Sequence, residues 1–477
     1  MAFKPIINLF SVLVMLFSIS LLAPLAISFL FQDGVGHIFL TTLIAAFAPA
    51  LLAWSITRNS KEVMGIKDGF IIITLFWVVL SLVGSMPFVL SGMSFIDSFF
   101  ESMSGITTTG ATVISGLDSL PESILFYRQM LQWMGGMGLI VLAIAVMPLL
   151  GIGGGQLFKT EIPGALNDQK LTPRIKETAQ ALWLIYLTLT IACAALYYLA
   201  GMSAFDAISH SLSTVSIGGF STHDESIGFF NSLSIELICI VFMLLSAFSY
   251  ALHYFAIYKR KPLKYFQDAE LRFFVSILLL IFILSIIFCY LLGFDGASIR
   301  QILFQSVSIV TTTGFVSTDY SSWPTVITFL FLVGAFIGAC SGSVGGGIKS
   351  WRVLIMINHA KINIMRLVHP NAVVSLKIGS KAVDDKVAES VWGFFSIYII
   401  SFMLLLLSLL ATGMDFESAF SAIGACLNNL GPGLGSVSET YSSVPDFGKG
   451  VLAFAMILGR LEIFTLLVLF TTVFWDK

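Results

Sequence analysis

Long apolar runs separated by short polar segments dominate the chain. A helix needs roughly 20 apolar residues to cross a bilayer core. About ten stretches reach that length, at about 6–31, 36–56, 69–91, 127–150, 181–201, 231–258, 271–293, 324–357, 387–412 and 448–475. Between some of them lie four amphipathic segments of about a dozen residues, too short to span. The run from Ile6 to about Phe31, behind Lys4, is too long for a signal-peptide core and predicts an uncleaved first span.

Composition narrows the class. Of 477 residues, 57% are hydrophobic and 11% charged, which excludes a soluble enzyme and predicts a polytopic membrane protein. The cysteines (Cys193, Cys239, Cys289, Cys340 and Cys426) are odd in number and have no CxxC spacing, so neither a disulfide framework nor a zinc site is expected. Charge placement says more than the net charge. Alternate connecting segments carry the bases: Arg58, Lys61 and Lys67, then Lys159, Lys170, Arg174 and Lys176, then Lys259 to Arg272, then Lys349 to Lys386. The others carry almost only acids, among them Asp33, Asp118, Glu122, Asp224, Glu225, Asp295, Asp319, Glu439 and Asp446. The positive-inside rule puts the basic set and both termini in the cytoplasm.

The four short segments then fall on the outer side, and they are repeats. "FIDSFFESMSGITTTGA", "AFDAISHSLSTVSIGGF", "IRQILFQSVSIVTTTGF" and "FESAFSAIGACLNNLGP" align without gaps on Gly110, Gly219, Gly314 and Gly431. The preceding triplets are Thr107-Thr108-Thr109, Ser216-Ile217-Gly218, Thr311-Thr312-Thr313 and Asn428-Asn429-Leu430. Six positions before each glycine stands a small residue: Ser104, Ser213, Ser308 or Ala425. The expected architecture is an all-α polytopic membrane protein, an N-terminal helix hairpin plus four span–pore-helix–span repeats around a pseudo-four-fold pore. Its expected units are 1–66 (hairpin), 67–160, 161–262, 263–380 with a broken second helix, and 381–477.

Non-helical backbone at membrane depth is tolerated only when buried in protein or lining a water-filled cavity. Four such loops meeting on one axis can ring a dehydrated cation with carbonyl oxygens, as in a selectivity filter. Glycine permits the backbone angles this needs. The C-terminal end of each short helix favours cations beneath the loop.

Two further features concern closure. "GACSGSVGGGIKS", Gly338 to Ser350, interrupts the run at 324–357, and each interior glycine costs a helix about 1 kcal/mol relative to alanine. It reads either as a close helix-packing site or as an intramembrane gate loop whose candidate residues are Gly338, Gly342, Gly345, Gly346, Gly347 and Lys349. The spacing does not fit a P-loop, because Ile348 separates Gly347 from Lys349. "GIGGG", Gly151 to Gly155, follows a span rather than a strand and is only a weak loop signal. Arg460, in "LGRLEIF" near the middle of the last run, should face protein or water. It is either a structural ion pair, for which Glu462 is poorly placed at i+2, or a positive barrier below the filter.

Other polar residues carry less. Asp97, Asp206, Gln301 and Ser418 align at the starts of the short helices, a usual place for helix-starting polar residues. Glu101 reads as a vestibule acid that attracts cations. His210, His223, His253 and His359 read as structural or solvated, and no metal-ligand spacing joins them. Trp323 and Trp475 read as interfacial anchors. The spans hold no nucleophile–base constellation, so no enzyme is expected. A secondary transporter coupling its cation to H+ or Na+ remains the alternative to a pore. Repeats in one orientation and the lack of an intramembrane acid or histidine relay favour the pore.

The four loops, "GACSGSVGGGIKS", "LNNLGPGLG" and "LGRLEIF" together resemble the Trk/Ktr/HKT superfamily of potassium transporters over essentially the whole chain, and the extra N-terminal hairpin resembles its TrkH-type subunit. The loops depart from a TVGYG-type sequence, and the second has Ser216-Ile217-Gly218. The resemblance implies channel-like K+ uptake in the bacterial inner membrane; K+ is the expected permeating ion, with Na+ and Rb+ as the other candidates, and no bound prosthetic group is expected. It implies filter roles for the four aligned quartets, a gate role for the glycine run and a barrier role for Arg460. It also implies a homodimer in membrane lipid and a TrkA-type cytosolic nucleotide-binding regulatory protein on the basic loops, about 151–180 and 349–386. No nucleic-acid partner is expected.

Overall fold

Apolar runs that cannot leave backbone groups unpaired in lipid fold as helices. The computed structural model describes residues 3–60, 62, 64–146, 175–371, 374–379 and 381–476, and the fold is all-α apart from a two-residue ribbon, Lys377–Ile378 with Lys381–Ala382. Helices Phe3–Ser20 and Leu22–Phe31 turn back as Gly36–Thr57, the expected hairpin. Then come a long helix, a short helix and a long or broken helix, four times over. The short helices are Phe95–Ile106, Ala204–Val215, Ile299–Val310 and Phe416–Leu427, each 12 residues long.

Six helices among the described residues are long and apolar enough to cross a membrane, or eight if each bent pair counts as one span. Two of the expected straight spans are not straight. The 231–258 run is Leu233–Ala247 and Tyr250–Ile257, meeting at 97°. The 448–475 run bends by 109° after Asp446–Arg460. There Glu462 and Ile463 take positive φ angles of 50° and 61°, which an α-helix cannot continue through. Arg460 is therefore the last residue of a helix, not a mid-span residue. The break expected in 324–357 is present: helix Thr325–Ile337 ends at Gly338 (φ 71°), and the next helix, Ser350–Val368, begins after Lys349.

Two apolar clusters hold these helices together. One joins the hairpin to the first and fourth repeats, and the other joins the second and third. Side chains such as Leu52, Leu199, Tyr290 and Leu407 stay exposed on the outside, as a lipid solvent allows. Trp323 does not stand at the surface; it is buried against Phe331, whereas Trp475 is exposed. The basic residues Lys159, Lys170 and Arg174 and the GIGGG run lie outside the described residues.

Candidate ion-conduction site

Each short helix starts with the same cap. Ser94, Ser203, Ser298 and Asp415 accept the backbone N–H of Asp97, Asp206, Gln301 and Ser418, relieving one of the unpaired donors of the first turn. The four aligned polar residues thus sit three places inside the helix, and the cap precedes them.

Each helix also ends in the same way. The N–H groups of Thr109, Gly218, Thr313 and Leu430 reach back to the carbonyls of Ser104, Ser213, Ser308 and Ala425 at 2.8–2.9 Å. Those of Thr108, Ile217, Thr312 and Asn429 reach Gly105, Thr214, Ile309 and Cys426. This is a Schellman ending, which places the middle residue of each triplet in the left-handed region. Its φ is 57° at Thr108, 54° at Ile217, 62° at Thr312 and 51° at Asn429. Glycine normally fills that position, and a β-branched residue there is strained. The small residues read from the alignment supply the carbonyls that anchor this turn.

The glycines then close a ring. A Cβ on Gly110 would lie 2.1 Å from the Gly218 carbonyl oxygen, and one on Gly219 would lie 2.1 Å from that of Thr313. On Gly314 it would lie 2.2 Å from that of Leu430, and on Gly431 2.8 Å from that of Thr109. Each glycine abuts the carbonyl of the residue before the next glycine, in chain order, and the fourth loop returns to the first. A side chain at any of these positions would displace a neighbour's backbone. All sixteen triplet and glycine positions of the alignment are in this ring or the turns that carry it.

On one side of the ring a cavity of about 590 Å³ is lined by all four glycines and by Asp224, Glu225, Asp319 and Glu439. Such acids raise the local concentration of cations. His223 reaches this cavity and pairs with Asp118 at 2.5 Å, with a longer contact of 3.4 Å to Asp206. Burial works against its charged form, but hydrogen bonding and the charges of Asp206 and Asp118 outweigh that and raise its pKa above 6.5. His210 hydrogen-bonds Ser221 and the Asp206 carbonyl, and His253 bonds Tyr265 and the Leu245 carbonyl, both as structural residues. Among the described residues no cluster of His, Cys, Asp or Glu forms a metal cage.

Glu101 is not a vestibule acid. It is fully buried behind the first loop and pairs with Arg128 at 2.8 Å, while accepting from Thr112 and the Val113 N–H. A buried carboxylate without a partner is costly, so sequence position alone misplaced it.

On the other side of the ring lies the glycine run. The Gly346 N–H donates to Thr312 Oγ1 at 2.7 Å, and the Gly347 N–H to the Asn428 carbonyl at 3.2 Å. A Cβ on Gly346 would fall 1.9 Å from that carbonyl oxygen. Gly346 has no room for a side chain because this loop lies against the backbone of the fourth triplet. Arg460 meets the same place. It donates to Thr108 Oγ1 at 3.1 Å, to the Val344 carbonyl at 3.0 Å and to the Gly135 carbonyl at 3.0 Å, beneath Trp77. A cavity of about 90 Å³ is lined by Arg460, Gly342, Gly345, Gly346, Gly347 and Lys349, among others. Lys349 donates to the Gly345 carbonyl, and Glu462 pairs with Arg352 rather than with Arg460.

Sequence reasoning missed Arg128 and Gln132, both buried and both touching the second loop. A signal was present. They are polar residues at i and i+4, so one face of a run expected to span carries both, and such residues face protein.

Four short helices delivering a closed backbone ring between an acidic cavity and a glycine loop, inside a set of apolar helices, fit the class of polytopic membrane transport proteins. The family model of TrkH, described as a cation transport protein, matches residues 36–476, and the chain belongs to that family. It is 50% identical over 482 residues to the Trk system potassium uptake protein TrkH of Halomonas elongata, with 100% of both chains covered. It is 43% identical over 469 residues to the Trk system potassium uptake protein TrkG of Escherichia coli, covering 97% of this chain and 96% of that one. The crystal structure of the potassium transporter TrkH from Vibrio parahaemolyticus superposes with a TM-score of 0.91 at 48% identity over 100% of both chains.

Proposed function

We propose that the protein takes up K+ across the bacterial inner membrane through a cation-selective, channel-like pore, with both termini cytoplasmic. The observation that carries this reading is the ring itself, in which four loops of one backbone conformation each set a glycine against the next loop's carbonyl. Such a ring offers oxygen ligands to a dehydrated cation. The membrane potential supplies the driving force on the permeating charge. The relatives named for potassium uptake favour K+ over Na+ and Rb+ as the main ion.

In this reading the aligned quartets at 107–110, 216–219, 311–314 and 428–431 are the filter. Gly338 to Lys349 and Arg460 form the closure beneath it. The guanidinium places positive charge next to Thr108, where it opposes a cation leaving the filter. A TrkA-type nucleotide-binding protein on the basic face sets the position of the glycine loop, and two copies of the chain pair in the membrane, each with its own pore. The units 67–160, 161–262, 263–380 and 381–477 are the four pore repeats behind the 1–66 hairpin.

Reversal potentials of the purified protein in planar bilayers test the reading. The expected potential follows the K+ gradient, shifts little with Na+ and ignores a pH gradient. A potential displaced by pH in fixed stoichiometry would replace the pore with K+ symport.

A further inference from the structure

Gln132 enters the filter ring from outside the four loops. It belongs to helix Glu122–Val146 of the first repeat, is fully buried and braces the loop of the second. Its Nε2 donates to the Gly218 carbonyl at 2.6 Å. Its Oε1 accepts from Ser213 Oγ at 2.6 Å and from the Phe220 N–H at 3.1 Å. Both ends of one amide therefore clasp the Gly218-Gly219 step.

The other loops are braced differently. In the first and third, the threonine before the glycine pairs its hydroxyl with the threonine two places earlier, Thr109 with Thr107 and Thr313 with Thr311, at 2.7 Å each. In the fourth, Asn429 Nδ2 donates to Thr109 Oγ1 and to the Met456 carbonyl, both at 3.0 Å. The second loop has Gly218 where the first and third have that threonine, so Ser216 has no hydroxyl two places on to pair with. The missing side chain has a steric reason. A Cβ on Gly218 would lie 2.3 Å from both Cδ and Oε1 of Gln132.

We infer that Gln132 is a specificity-determining positioning residue of the filter, standing in from another helix for the threonine that the second loop lacks. The inference rests on the filter reading above. The Gly218 oxygen is one of the four that close the ring, adjacent to Gly110. Donation from a primary amide fixes its direction and engages one of its lone pairs. The position and field of such oxygens decide how well a ring replaces the hydration shell of one cation rather than another. Two consecutive glycines have wide conformational freedom, so without the amide this quadrant adapts to a smaller ion.

The test is the K+/Na+ permeability ratio of the reconstituted full-length protein, read from bi-ionic reversal potentials. Gln132→Ala and the volume-conserving Gln132→Met each remove three hydrogen bonds and are expected to lower the ratio about fivefold, the effect of the one that reaches a ring oxygen, the donation to the Gly218 carbonyl. Gly218→Thr alone also lowers it by collision. The double variant Gln132→Ala with Gly218→Thr recovers most of the ratio, because the introduced hydroxyl then has room to pair with that of Ser216. A merely structural glutamine would change expression and thermal midpoint without this pattern. Wild-type ratios in both Gln132 variants, or strict additivity in the double variant, would overturn the inference while leaving a selective wild type and its filter standing. A wild type that does not discriminate K+ from Na+ would overturn the filter reading, and this inference with it.

Discussion

The guanidinium of Arg460 donates to Thr108 Oγ1 at 3.1 Å and, from the same nitrogen, to the Val344 carbonyl at 3.0 Å. Thr108 is the left-handed residue of the first ring loop, and Val344 belongs to the glycine run. One cation at a helix end therefore ties a turn of the ring to the glycine loop. Arg460→Ala should raise the resting cation leak about tenfold, equivalent to removing roughly 1.4 kcal/mol of barrier. Arg460→Lys should recover only part of the closure, since a compact ammonium cannot span acceptors on three elements. Single-channel recording reads both, and an unaltered leak in folded Arg460→Ala protein would leave Arg460 a purely structural residue.

Gly219→Ala should abolish K+-selective flux. Its φ is 80°, and the new Cβ would lie 2.1 Å from the Thr313 carbonyl oxygen. Gly413→Ala provides the control for backbone strain alone, because φ there is 89° but nothing lies within 4 Å of the added Cβ. That variant should lose about 1–2 kcal/mol of stability and keep its selectivity. Equal flux defects in the two would point to strain, not to the ring, as the cause.

Arg128→Ala strands the Glu101 carboxylate, which is fully buried beside it. Removing one partner of a buried pair costs about 3–5 kcal/mol, whereas replacing both with apolar residues of similar volume costs far less. Thermal unfolding in detergent should show a large fall for Arg128→Ala and a smaller one for Arg128→Met combined with Glu101→Leu. If the double variant is as unstable as the single one, the other Arg128 contacts, to Ser221 and the Phe220 ring, dominate instead.

The outer ends of the first and second loops are joined by Asp118 and His223, with Asp206 and His210 also facing the imidazole. His223 titrates above 6.5, and Asp118 is held below 3.8, first by its hydrogen bond from His223. The His223 contribution is complete below 6.5 and is lost as pH rises through its elevated pKa. The Asp118 contribution is complete above 3.8 and is lost as pH falls through its depressed one. The join is strongest between those values. Hydrogen exchange at the Gly116 amide, which donates to Asp224, should quicken on the alkaline side beyond its intrinsic pH dependence. His223→Gln should remove that extra rise; a rise that persists in this variant would exclude His223 as its source.

Much of this protein was legible before folding. The hairpin, the four short helices and the break at Gly338 follow from run length and glycine content, and the aligned glycines fall on the ring. The bends at Phe248–Ser249 and after Arg460 were not legible. Both runs are apolar enough to read as single spans, and hydropathy carries no information on a change of direction. Glu101 was misread because an acid beside an outer loop looks the same whether it faces solvent or a buried arginine 27 positions later. Trp323 was misread likewise, since an aromatic at a span end can anchor at an interface or pack inward.

What the sequence determined by itself is whatever depends on neighbours along the chain: which segments are helices, where each short helix begins on a Ser or Asp cap, and where a glycine permits a left-handed turn. What the tertiary structure alone decided is how groups far apart in number meet. It set Thr109 against Gly431, Gln132 against Gly218 and Arg460 against Thr108. Those contacts form only when four repeats close on one axis. There the packing leaves no room for a side chain, so backbone from one repeat becomes the wall of the next.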